Sequence, residues 1–108
     1  MTHCHSSTAV EVIKGIAKGK KSFDAVCTET RPLFQGRITA KSLLDAGISA
    51  TLIADSSAES FVIGRGSVPI DAVFIGCDQI TMDLLQFLPL VVLNLLKTQA
   101  FFLFLLVF

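Results

Sequence analysis

The side chains best suited to chemistry stand in four short polar clusters: Cys4-His5-Ser6-Ser7-Thr8, Thr28-Glu29-Thr30-Arg31-Pro32, Asp55-Ser56-Ser57 and Cys77-Asp78-Gln79. Cys4 and Asp78 are two reactive side chains among them, in a chain of otherwise ordinary composition. A cysteine at a helix N-terminus has its thiolate favoured by the positive end of the dipole. An aspartate on an apolar rim can have a raised pKa, remain protonated and donate. Ser6, Ser7 and Thr8 offer hydroxyls where the unpaired N–H groups of a helix start would suit a phosphate. Thr8 would serve equally as a plain helix cap. Arg31 can either reach an anion or fix its own loop by pairing with Glu29 or Asp55. His3-Cys4-His5 has the composition of a metal cluster, but adjacent residues rarely coordinate one ion together and no second ligand pair follows. No metal and no cofactor are therefore expected.

These clusters fall between segments of regular period. Thr8-Ala9-Val10-Glu11 has the form of a capping box, and Val10, Ile13 and Ala17 recur at helical spacing up to Gly19, which predicts a helix over 8–18. Phe23 to Thr28 is a short apolar run of the kind a buried strand has. Gly36 to Ala46, closed by Gly47, reads as a second helix with Ile38, Leu43 and Leu44 on or near one face. Ile48 to Ala54 is a second strand, Ser56 to Ile63 a short helix, Gly64 and Gly66 a turn, and Ala72 to Gly76 a third strand. Alternating helices and strands with short connections imply a parallel sheet covered on both faces, an α/β fold of Rossmann-like form. Ligands of such a sheet collect at the carboxyl ends of its strands, so three or four of the polar clusters should line one rim.

The nine basic and nine acidic residues balance to zero, which excludes a basic nucleic-acid binder and a polyacidic tail by composition. Lys18, Lys20 and Lys21 read as a solvated charge run at a helix end. Three cysteines without paired spacing and the lack of an apolar leader fit a reduced, cytoplasmic setting. Cys27, inside an apolar strand, is expected in the core. The averages also conceal a change after Asp83. Residues 84–108 are apolar at 19 of 25 positions, with Lys97 the only charge and no glycine.

THCHSST (Thr2 to Thr8), TETRPLFQGRITA (Thr28 to Ala40), LLDAGI (Leu43 to Ile48), ADSSA (Ala54 to Ala58) and IGCDQIT (Ile75 to Thr81) occur in this order. In order and approximate spacing they resemble the initiation-factor-2B-related superfamily over about residues 2–82. That superfamily joins regulatory subunits of translation initiation factor 2B with isomerases of methylthioribose 1-phosphate and ribose 1,5-bisphosphate, and the archaeal-type ribose-bisphosphate isomerases are the most similar. The resemblance implies catalysis by Cys4, which would accept a proton, and Asp78, which would donate one. Aldose–ketose conversion needs such a pair, because it moves a proton between adjacent carbons. It also implies substrate contacts at Ser6, Ser7, Thr8 and Gln35, and a sugar-phosphate substrate bound by a parent protein that is a homo-oligomer. Retention of Cys4 and Asp78 favours the isomerase, since the regulatory subunits generally lack the pair. The alternative is a noncatalytic initiation-factor subunit that uses the same fold to sense nucleotides or sugar phosphates.

Departures from the family pattern are as informative. Its members place a buried strand before T-H-C and a helical domain with an Arg-Gly phosphate loop before that, and they continue past G-x-D into N-K-x-G-T. Here Met1 stands one residue before the motif, and Met82-Asp83 leads into Leu84-Leu85-Gln86-Phe87. The expectation is an incomplete catalytic core, residues 1–83, with unpaired sheet edges and little activity of its own, followed by an unrelated tail, 84–108, taken as helical. The tail reads as a membrane anchor interrupted by Gln86, Pro89, Asn94, Lys97 and Gln99, as a helix packed on the sheet, or as sequence translated out of frame. The abrupt end of the resemblance favours the last.

Overall fold

The computed structural model describes residues 1–19, 22–76 and 105–107. Helix α1 spans Ser7–Gly19, strand β1 Asp24–Thr28, helix α2 Gln35–Asp45 and strand β2 Ser49–Ile53. A single 3₁₀ turn, Asp55–Ser57, leads into helix α3, Ala58–Val62, followed by strands β3, Phe74–Gly76, and β4, Leu105–Val107. The order is that predicted through β3, and the fold is α/β with a parallel sheet.

Strand β1 pairs in parallel with β2, Asp24 opposite Ser49 through Thr28 opposite Ile53. Strand β3 pairs in parallel with β4, Phe74 opposite Leu105 through Gly76 opposite Val107. Thr2 joins the two pairs through parallel bridges to Cys27 and to Phe74. The Thr2 N–H donates to the Val26 carbonyl at 2.8 Å, the Thr28 N–H donates to the Thr2 carbonyl at 3.2 Å, and the Phe74 N–H donates to the Met1 carbonyl at 2.9 Å. The inner edges of β1 and β3, expected to be bare, are thus both met by the two residues ahead of His3. Buried N–H and C=O groups need such partners, and even two residues of extended chain supply several. The tail's three described residues form a strand rather than the expected helix, since pairing with β3 satisfies a further row of backbone groups; residues 77–104 and 108 lie outside the described part.

Alternation along β1 divides the core. Ala25 and Cys27 pack with Val10 and Ile13 of α1 and with Ala40 and Leu43 of α2. Val26 lies with Ile53 and with Ala58 and Val62 of α3. Successive side chains of a strand point to opposite faces, so α1 and α2 cover one face and α3 the other. Cys27 is the core residue expected, and burial pushes its thiol up to about 11. In α2 the buried face is Gly36, Thr39, Ala40 and Leu43, at helical spacing i, i+3, i+4, i+7. Ile38 and Leu44 are 56% and 54% exposed, which corrects the face expected for this helix. Both apolar residues fall on the solvent side of a stripe that includes a glycine and a threonine, too small or too polar to be recognised by hydropathy alone.

The capping box on Thr8 does not form. The helix starts one residue earlier, at Ser7, so Thr8 already has helical backbone, and Ser6 Oγ accepts the Ala9 N–H at 3.3 Å instead. Gly36 governs how closely α2 approaches the sheet: a Cβ there would lie 1.6 Å from the Thr28 carbonyl oxygen. Gly15 of α1, by contrast, has open space around the same position. Gly36→Ala is expected to destabilise the chain by about 3 kcal/mol or more, since backbone must move. Gly15→Ala should stabilise it by about 0.5–1 kcal/mol through helix propensity. Urea unfolding of the two variants checks both signs.

Candidate functional site

The segment His3-Cys4-His5 leaves the centre of the sheet at the carboxyl end of the strands and is held there by three threonines. His3 Nδ1 lies 2.6 Å from Thr28 Oγ1 at the end of β1. The Cys4 N–H donates to Thr30 Oγ1 at 2.9 Å. Thr39 Oγ1, on α2, donates to the Cys4 carbonyl at 2.9 Å and lies 2.9 Å from His5 Nδ1. Thr28 and Thr39 are buried, at 0% and 1% exposure, where an unpaired hydroxyl would be costly.

Cys4 has φ 65°, Thr30 φ 59° and Phe34 φ 54°. Side chains rarely adopt this left-handed region, and each such residue costs of order 1–3 kcal/mol unless its surroundings impose it. Here they do. Cys4 is gripped at its N–H by Thr30 and at its carbonyl by Thr39. Thr30 and Arg31 each donate a backbone N–H to Asp55, at 2.8 Å to Oδ1 and 2.8 Å to Oδ2 respectively. Asp55, at the exit of β2, therefore fixes the loop after β1 with both carboxylate oxygens. In the resulting geometry the Cys4 thiol donates to Gln35 Oε1, the first residue of α2, at 2.9 Å.

The site residues named from sequence divide as follows. Cys4, Gln35 and Ser6 come to one rim, and Gly76 reaches the same place: a Cβ on it would lie 2.5 Å from Ser6 Cβ and Oγ. Ser7 is exposed and Thr8 half-buried on the first turn of α1. Arg31 does not stand free. Its Nε donates to Glu29 Oε1 at 2.7 Å, and its guanidinium lies 5.3 Å from the centre of the Phe34 ring, the loop-fixing role weighed from the sequence. Asp78 and Cys77 lie outside the described residues. Among the described residues no three His, Cys, Asp or Glu side chains group as metal ligands, and no helix is long and apolar enough to cross a membrane. Sequence reasoning missed Thr30, Thr39 and the double role of Asp55. Thr39 left a signal, a hydroxyl in phase with Gly36, Ala40 and Leu43, where burial demands a partner.

A family model described as the initiation factor 2 subunit family matches residues 1–83. Over 83 residues the chain is 46% identical to ribose 1,5-bisphosphate isomerase of Methanocaldococcus jannaschii and 43% identical to that of Archaeoglobus fulgidus, in each case 77% of this chain and 25% of the relative. It is 40% identical over 92 residues to methylthioribose-1-phosphate isomerase of Symbiobacterium thermophilum, again 77% of this chain and 25% of the relative. The crystal structure of translation initiation factor eIF-2B from Pyrococcus horikoshii superposes with a TM-score of 0.65 at 30% identity, covering 73% of this chain and 27% of that one. The chain thus spans about a quarter of the length of these relatives.

Burial lowers the pKa of His3 from its ordinary 6.5, with the Asp55 charge opposing the shift. A base held neutral in the folded state binds its proton later than in the unfolded chain. Folding stability should therefore be full above pH 6.5 and fall as acid takes the pH below that value. Comparing urea midpoints from about pH 7.5 to pH 5, the chain should lose more stability than His3→Gln, and equal losses would refute the assignment.

Proposed function

The chain belongs to the initiation factor 2 subunit family, and from that premise we propose that residues 1–83 carry the proton-transfer rim of a sugar-phosphate aldose–ketose isomerase, with residues 84–108 a segment unrelated to it. Ribose 1,5-bisphosphate is the preferred substrate, on the strength of the relatives that bear its name. The observation that carries the reading is the meeting of the two motif segments. Gly76, two residues before Asp78, packs on Ser6, two residues after Cys4. Asp78 follows Gly76 by two residues of sequence, and this meeting of the motif segments supports pairing it with Cys4 in the reaction.

Cys4, as thiolate, takes the proton from a substrate carbon, and the protonated Asp78 gives its proton to a substrate oxygen. Return of the Cys4 proton to the adjacent carbon, with Asp78 recovering a proton from the hydroxyl on the carbon that Cys4 deprotonated, leaves a carbonyl on that carbon and restores both groups. Gln35 is suited to both states of the sulfur. Its amide oxygen accepts from the thiol at 2.9 Å, and the amide nitrogen of the same side chain can donate to a thiolate or to substrate. The phosphate falls to the start of α1. Ser6 Oγ and the Ser6 carbonyl take the Ala9 and Val10 N–H groups, which leaves the N–H groups of Ser7 and Thr8 and their hydroxyls for an anion. The first turn holds no acidic residue to oppose it. A substrate phosphate would compete with Glu29 for Arg31, whose side chain is solvent-exposed. The likeness to a solved translation initiation factor supports a second reading, a noncatalytic subunit that binds the same class of ligand.

Grafting residues 1–83 in place of the matching segment of the Methanocaldococcus jannaschii isomerase tests the proposal. The chimera should convert ribose 1,5-bisphosphate to the ketose. Cys4→Ser and Asp78→Asn should each lower kcat by ~10²-fold or more, with Ser7→Ala acting mainly on KM. A folded chimera that turns over neither ribose 1,5-bisphosphate nor methylthioribose 1-phosphate would sink the enzyme reading, and retained binding without turnover would favour the subunit.

A further inference from the structure

The hydroxyl of Thr39 has one proton and two polar neighbours. One is the Cys4 carbonyl, 2.9 Å away, which can only accept. The hydroxyl must therefore donate there, and its second neighbour, His5 Nδ1 at 2.9 Å, must donate to it. We infer that Thr39 is a positioning residue that fixes Cys4 in its left-handed conformation and at the same time locks the neutral His5 ring as the Nδ1–H tautomer, leaving Nε2 as an acceptor for a substrate hydroxyl. The role of the sugar hydroxyl rests on the isomerase reading; the tautomer does not.

Three features support the assignment. Thr39 is 1% exposed, so water does not compete for its hydroxyl. It sits on the buried face of α2 with Gly36, Ala40 and Leu43, and the close approach that Gly36 permits brings α2 within reach of the Cys4 carbonyl. His5 is solvent-exposed, so a ring nitrogen not used by Thr39 is available to a ligand at the rim. A ring that meets one donor-filled partner on Nδ1 has its proton placed by that partner. The outcome is a single hydrogen-bonded chain, His5 to Thr39 to Cys4, in which the orientation of the acceptor and the conformation of the sulfur-bearing residue depend on one hydroxyl.

Nitrogen-15 NMR of the histidine rings in the 108-residue chain, at a pH where His5 is neutral, gives a direct reading. His5 should show the Nδ1–H pattern. Thr39→Val, which keeps the shape and removes the hydroxyl, should shift it towards Nε2–H, and Thr39→Ser should restore Nδ1–H although it loses the methyl group. An Nε2–H pattern in the unmodified chain would overturn the inference, as would a Val variant that folds and keeps Nδ1–H. If the Val variant does not fold, the unmodified chain and the Ser variant still decide the matter. In the active chimera, Thr39→Val should lower kcat roughly tenfold to a hundredfold with little change in KM, rescued by Ser. A chimera without turnover would count against the isomerase reading while leaving the tautomer result to stand or fall by itself.

Discussion

Thr2 makes two backbone pairings at once, with Cys27 on one side and Phe74 on the other, and the rim of this protein depends on that. A residue bridged on both edges cannot twist away from the sheet, so the chain that follows must leave at the carboxyl end of β1 and β3. His3, Cys4 and His5 are that chain. Their arrival beside Thr28, Thr30 and Thr39 follows from where Thr2 is held, and the start of α1 at Ser7 follows in turn. Gly36 supplies the complementary constraint by letting α2 approach the Thr28 carbonyl. Without that approach neither Gln35 nor Thr39 would reach Cys4.

The site is ordered by polar interactions in places where apolar packing is scarce. Three non-glycine residues in the left-handed region, Cys4, Thr30 and Phe34, concentrate strain in the loops around a single thiol. Asp55 balances part of it with two backbone N–H bonds at 2.8 Å, and the threonine hydroxyls hold the remainder. Such strain persists when the surroundings over-determine a conformation, and it is characteristic of places where geometry matters more than local stability. The isomerase reading gives it a purpose, the placement of one sulfur against a sugar carbon.

The order of elements from α1 to β3 was legible because apolar period and turn residues act over a few positions. The faces were less so. Ile38 and Leu44 looked like core because they are apolar, yet Gly36 and Thr39 occupy the buried stripe, since the approach to the Thr28 carbonyl requires a missing Cβ at one position and the Cys4 carbonyl takes a hydroxyl from the other. Thr8 looked like the cap because Glu11 follows it at the right interval, yet Ser6 caps the helix, since the path out of the sheet starts α1 a residue earlier. Arg31 could be given a ligand or an internal partner from sequence, and the proximity of Glu29 across a tight loop selected the internal one. The sheet edges beside β1 and β3 seemed bare because two residues are too few to read as a strand.

By itself the sequence determined the family, the α/β class and the presence of Cys4, Gln35 and the Ser6-Ser7-Thr8 hydroxyls at one end of a parallel sheet. Residue types, local period and strand polarity suffice for those. Only the tertiary structure decided which partners each group keeps: Cys4 with Gln35, Thr30 and Thr39; His3 with Thr28; Asp55 with two backbone amides. Those pairings span 24 to 35 positions of sequence. No local pattern encodes them, because a hydrogen bond depends on distances of about 3 Å that are set when β1, α2 and the chain leaving Thr2 pack together.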